Sequence, residues 1–228
     1  MIQALMLLSL WAQDDAAVAD ALAKFKAEYK GPSAAVRAAA VTALTRTPHE
    51  STFRRLVPLL TGEVKEVRLA AIAGLGAFTA HKKMVVPALL QTLNASAKEP
   101  DVAAAVFAVL GKLKDETALP AISSRFRKEH ITVAKAAVAS AGAIGTWECL
   151  TALNEFSRDL QKWLKSGSGG GYYDDAGVGE AAAQTARLQA LQTELVKAFQ
   201  TASKEQWTTL SEWEVWYTRR KNNPALRK

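Results

Sequence analysis

Apolar residues recur along this chain at spacings of three and four, the period of a helix, and not in the alternation of a strand. Four segments show it most clearly: VRAAAVTALTR from Val36, VRLAAIAGLGAF from Val67, VAAAVFAVLGKL from Val102 and VAKAAVASAGAIG from Val133. Their opening valines are offset by 31, 35 and 31 residues. Each predicts a helix with a broad apolar stripe lined by small side chains, as at Val36, Ala39, Ala40 and Ala43. A second predicted helix follows each one, read as STFRRLVPLL, HKKMVVPALLQTL, DETALPAISSRF and TWECLTALNEF. A single such pair cannot cover its own stripe, whereas stacked pairs bury a continuous core.

Proline and capping residues refine these helices. Pro120 falls in or near the first turn of its helix, where its missing N–H costs nothing. Pro58 and Pro87 lie deeper and predict kinks. Asp115 and Thr146 are the expected N-caps, because their side-chain oxygens can accept an orphan amide proton of the helix that follows.

The ends differ from the middle. Residues 13–31 predict one amphipathic helix, with Val18, Leu22 and Phe25 on its apolar face, stopped at Gly31-Pro32 and capping the first pair. About four helix pairs then fill residues 32–165. Residues 166–179 form a glycine-rich stretch without regular structure, and residues 180–228 hold closing helices and a basic tail. Leu188, Leu191, Leu195 and Phe199 share one stripe there, and Ser211 with Glu214 reads as a capping box for the final helix.

The VRLAAIAGLG segment resembles the second helix of HEAT repeats. The resemblance covers residues 33–165 and implies an all-α fold, a short right-handed α-solenoid. The arginine of that motif stands at Arg37 and Arg68, but Ala103 and Ala134 replace it later. The acid expected three residues before the valine is replaced by Ser33 and Val64, which implies an irregular array. The order of segments, from FKAEYKG to SEWEVWY, is similar to that of a group of bacterial HEAT-repeat proteins, often exported. That group implies no reaction.

Composition alters the picture little. Hydrophobic residues make up 49% and charged ones 22% of 228 residues, ordinary for a folded domain. The net charge of +7 is concentrated in the tail, where Arg219, Arg220, Lys221, Arg227 and Lys228 stand without an acid. A solvated tail is the expectation, and nucleic acid is not the partner such a body calls for. The single cysteine, Cys149, excludes an internal disulfide and lies in an apolar helical run. Residues 1–12, MIQALMLLSLWA, read as the hydrophobic region of a signal peptide. Export to the periplasm or cell surface is therefore the favoured expectation, and a cytoplasmic protein with a packed N-terminal helix the alternative.

Candidate chemistry is sparse. His49, His81 and His130 are too scattered for a zinc site, and no nucleophile motif or phosphate loop appears. No cofactor is expected, and the protein is read as a non-enzyme. Arg54, Arg55, Lys82 and Lys83 fall on the first two second-helices, with no acid inside them, and predict contact with an acidic protein or peptide. Tyr172 and Tyr173, in the glycine-rich stretch, are candidate contact residues. Trp163, Trp207, Trp213, Trp216 and Tyr217 are assigned to a lid over the last pair, with Trp213, Trp216 and Tyr217 on one helical face. The expected function is a protein- or peptide-binding scaffold. The alternatives are a glycosylase-like DNA-binding enzyme on HEAT-like repeats, a lyase on the same fold, and a structural component of the cell envelope.

Overall fold

The computed structural model describes residues 2–127, 130–166 and 181–227, with side chains described at 15–127, 130–165 and 183–227. It is all-α, with no strand among the described residues. The chain divides into two compact units, residues 1–98 and 99–228. In both, helices succeed one another as a row of first helices flanked by a row of second helices, the stacking of HEAT-like repeats.

The front unit contains α1 (Ile2–Glu28), α2 (Ala34–Leu44), α3 (Glu50–Leu56), α4 (Lys65–Leu75) and α5 (Lys82–Ala95). The helix α1 runs unbroken through the boundary drawn at Ala12 and buries Val18 and Phe25 against α2 and α3. The next pair in the row is α2 and α4. Their approach depends on Gly74, where a Cβ would stand 2.1 Å from Thr45 Cγ2. The core is made of Val41, Leu44, Leu56, Val67, Ile72, Leu75, Phe78, Val85 and Leu89, all fully buried or nearly so. That much apolar burial, at about 25 cal/mol per Å², is the main term holding the pairs together.

Two departures from the expected pattern acquire reasons here. Ser33, standing where the family pattern has an acid, is the N-cap of α2 and accepts the Val36 N–H at 3.2 Å. The missing acid is supplied by Glu63, one residue before Val64, which pairs with Arg37 at 3.6 Å. Tyr29 donates its hydroxyl to the same carboxylate. Arg68 is buried and spans two repeats. Its Nε donates to Leu60 O at 3.1 Å and an Nη to Ser96 Oγ at 2.6 Å, closing the ends of successive second helices.

The prolines behave differently from one another. Pro58 does not kink α3 but ends it, since α3 stops at Leu56 and a short 3-10 turn, Val57–Leu60, holds the proline near its start. The turn needs no N–H at that position, so it accommodates proline where an α-helix would lose a bond. Pro87 remains inside α5, and Pro120 lies at the start of its helix.

The rear unit contains α6 (Pro100–Leu113), α7 (Leu119–Ser123), α8 (Ile131–Ile144), α9 (Trp147–Ser166), α10 (Ala181–Ser203) and α11 (Leu210–Asn222). Asp115 caps the turn before α7, accepting from Thr117 N at 3.0 Å, and the Thr146 hydroxyl accepts from Cys149 N at 3.4 Å. The row of first helices is α6, α8 and α10, so α10 takes the place of a further repeat. The approach is very close at Gly142, where a Cβ would meet the Ala198 backbone at 2.7 Å. Small residues on α6 and α8 permit it: Ala103, Ala134, Ala137 and Ala141 are buried. The final helix is capped by a different pair from the one predicted. Thr209, not Ser211, is the N-cap, and Glu212, not Glu214, is its reciprocal partner. The helix begins two residues earlier than the Ser211 reading requires, because Leu210 must enter the core.

Candidate functional site

Each unit carries one grouping of candidate side chains. In the front unit Arg54 and Arg55 lie in the last turn of α3, and Lys82 and Lys83 open α5. Arg54 is paired with Glu50 one turn earlier, so the helix does contain an acid beside its basic pair. It was missed because the sequence places the helix start at Ser51 while His49 caps it one residue sooner, its Nδ1 accepting from Ser51 N. The Arg55 guanidinium lies over the Phe25 ring, 5.6 Å from its centroid, which ties α3 to α1. Lys83 is exposed.

Helix dipoles treat these cations unequally. A cation in the last turn of α3 is stabilised by the carbonyl end, whereas Lys82 and Lys83 stand at the amide end of α5, where a positive charge is disfavoured. Residues 1–98 hold twelve Lys and Arg against seven Asp and Glu, so this unit is basic as a whole. Tyr172 and Tyr173 lie outside the described residues.

In the rear unit six aromatic residues converge. Trp213 is fully buried and stacks on Phe199, with centroids 3.8 Å apart and planes within 7°. Its indole N–H donates to Asn154 Oδ1 at 3.1 Å. Trp216 packs on Trp213 at 4.8 Å, and Trp207 meets both edge-on. Tyr217 lies flat against Trp147 at 5.0 Å and donates its hydroxyl to Thr151 Oγ1 at 3.0 Å. Trp163 stands apart, touching Phe156 edge-on at 6.5 Å. Trp147, Phe199 and Asn154 join this cluster without having been assigned to it. The one available signal was Asn154, a polar residue set on the otherwise apolar stripe of its helix.

The tail is not simply solvated. Arg220 lies over Trp216 at 4.0 Å and Arg227 over Trp147 at 4.4 Å. Arg227 also donates to Arg220 O and Lys221 O, closing the carbonyl end of α11.

Cys149 is buried, and that burial pushes its thiol pKa up, opposite to what a thiolate nucleophile needs. Among the described residues no three His, Cys, Asp or Glu side chains gather as metal ligands, and no single helix is long and apolar enough to cross a bilayer.

Residues 22–97 match the family of HEAT repeats. The match covers a third of the chain, and the paired helices of the front unit agree with it there. Such repeats commonly mediate protein binding and are typically non-enzymatic. In HEAT terms Arg37 and Arg68 are the arginines of successive repeats, and Glu63 and Ser96 answer them. No curated protein matches the chain.

Proposed function

We propose that this protein is a non-enzymatic scaffold whose front HEAT repeats receive an acidic protein or peptide segment. The observation that carries it is the placement of Lys82 and Lys83 at the amide end of α5, the second helix of the pair that follows the basic pair on α3. Lys83, exposed there, works against the helix dipole, and an acidic partner offsets that cost on binding. The excess of basic residues over residues 1–98 favours the same partner.

The test is fluorescence anisotropy of a labelled glutamate-rich peptide titrated with the full chain. Binding should weaken steeply as salt rises from about 50 to 500 mM, since screening acts within about 10 Å at 0.1 M. Lys82→Gln with Lys83→Gln should reduce affinity about tenfold, which corresponds to about 1.4 kcal/mol. Affinity indifferent to salt and to both substitutions would overturn this reading.

A further inference from the structure

The rear unit holds a cavity of about 350 Å³ whose wall is basic and aromatic. Gly145 and Trp147 form one side, Ala202 to Lys204 a second, and Trp216, Arg220 and Arg227 the third. Among the described residues three basic side chains therefore line one space and no acid does. Glu205 stands 3.8 Å from the Arg220 guanidinium, and two carbonyls of α11 accept from Arg227.

We propose that this cavity binds a compact anion, a carboxylate or phosphate group carried by a small molecule. The arginines are held in place before any ligand arrives. The Cζ of each guanidinium lies over an indole, Arg220 over Trp216 and Arg227 over Trp147, and this cation–π contact restrains it. Arg227 already donates its Nε and one Nη to two carbonyls of α11, so an anion would be met by the guanidinium N–H groups that the pair does not spend there. Trp147 and Trp216 are themselves packed on Tyr217 and Trp213. The cations thus rest on the buried end of the unit and lose little further freedom on binding. Gathering three like charges around one space raises the folded state's energy, and a bound anion lowers it. The site uses residues 145–227 alone and stands or falls separately from the scaffold reading of the front repeats.

Two probes distinguish the sources of the anion. The full chain is titrated with pyrophosphate and with citrate, following heat and tryptophan emission, against sodium chloride at matched ionic strength. At least one probe should bind saturably with a change in emission. Lys204→Gln, an exposed side chain at the rim, and Arg220→Gln should each weaken it at least about fivefold, while Arg219→Gln leaves it unchanged. Arg227→Gln should act likewise, and circular dichroism of each variant separates lost binding from lost folding. Response to pyrophosphate alone assigns a phosphate ligand, and response to citrate alone a carboxylate. No binding beyond that of chloride, or equal affinity in the Lys204→Gln and Arg220→Gln variants, overturns the proposal.

Discussion

The indole of Trp213 donates its N–H to the Asn154 side chain 3.1 Å away, across a sequence separation of 59 residues. The same ring lies flat on Phe199. One side chain thus joins α9, α10 and α11. Trp213→Ala removes a fully buried ring and should cost about 3–5 kcal/mol. Trp213→Phe keeps the stacking surface but leaves the Asn154 oxygen unpaired, which should cost about 1–3 kcal/mol. Urea unfolding followed by circular dichroism measures both. Equal losses in the two variants would show that the ring packing contributes nothing beyond the hydrogen bond, and an undiminished stability of Trp213→Phe would remove the hydrogen bond from the account.

The capping of α11 offers a sharp comparison. Thr209 accepts from Glu212 N, and Glu212 accepts in return from Thr209 N. Thr209→Ala should destabilise the rear unit by about 0.5–2 kcal/mol, whereas Ser211→Ala should change stability by less than about 0.5 kcal/mol. The reverse order would restore the cap read from the sequence.

Helix propensity and packing oppose each other at Gly142. Glycine in a helix costs about 1 kcal/mol relative to alanine, so Gly142→Ala is favoured locally. The new methyl group would stand 2.7 Å from the Ala198 backbone and its Cβ, neither of which can swing aside. Packing should win, with a net loss of about 1–3 kcal/mol in thermal or urea unfolding. A more stable variant would show that α8 and α10 separate without cost.

The Tyr29–Glu63 pair gives the front unit a pH dependence with two arms. The hydrogen bond from Tyr29 holds the Glu63 carboxyl below its ordinary pKa. Its contribution is present above the unfolded carboxylate pKa, about 4.3, and is lost as pH falls through the lower folded value. Burial, with the Glu63 carboxylate beside it, pushes Tyr29 up to about 12. For that group the contribution is complete below the unfolded pKa of about 10 and is lost as pH climbs from there toward 12. Tyr29→Phe should flatten both arms when unfolding midpoints are compared from acid to alkaline pH. An unaltered profile would remove the pair from the account.

The sequence made the helices and their pairing legible because stacking repeats require the same small and branched residues at the same spacing. On α6 Val102, Val106 and Val109 are buried as the spacing predicts, but on α2 the expected stripe is misplaced: Val36 and Ala39 are exposed, and Ala40, Val41 and Leu44 enter the core. The shared face of Trp213, Trp216 and Tyr217 followed from helical spacing alone. What was not legible depended on partners distant in the chain. Nothing near Glu63 announces that it answers Arg37, and nothing near Trp147 announces Arg227. The Pro58 error has a different cause: a helix that ends in a 3-10 turn and a helix that kinks carry the same residues. The basic tail misled for a third reason, since composition counts charges without showing that an indole lies beneath two of them.

The helix α10 is held by α8, α9 and α11, and its closest approach is at Gly142 and Ala198. In sequence α10 follows α9 across residues 167–180, whereas these contacts are made by the helices themselves. Connectivity and architecture are therefore separable at this point. A chain cut by protease within residues 167–180 should remain one particle, its two fragments leaving a sizing column together until denaturant parts them.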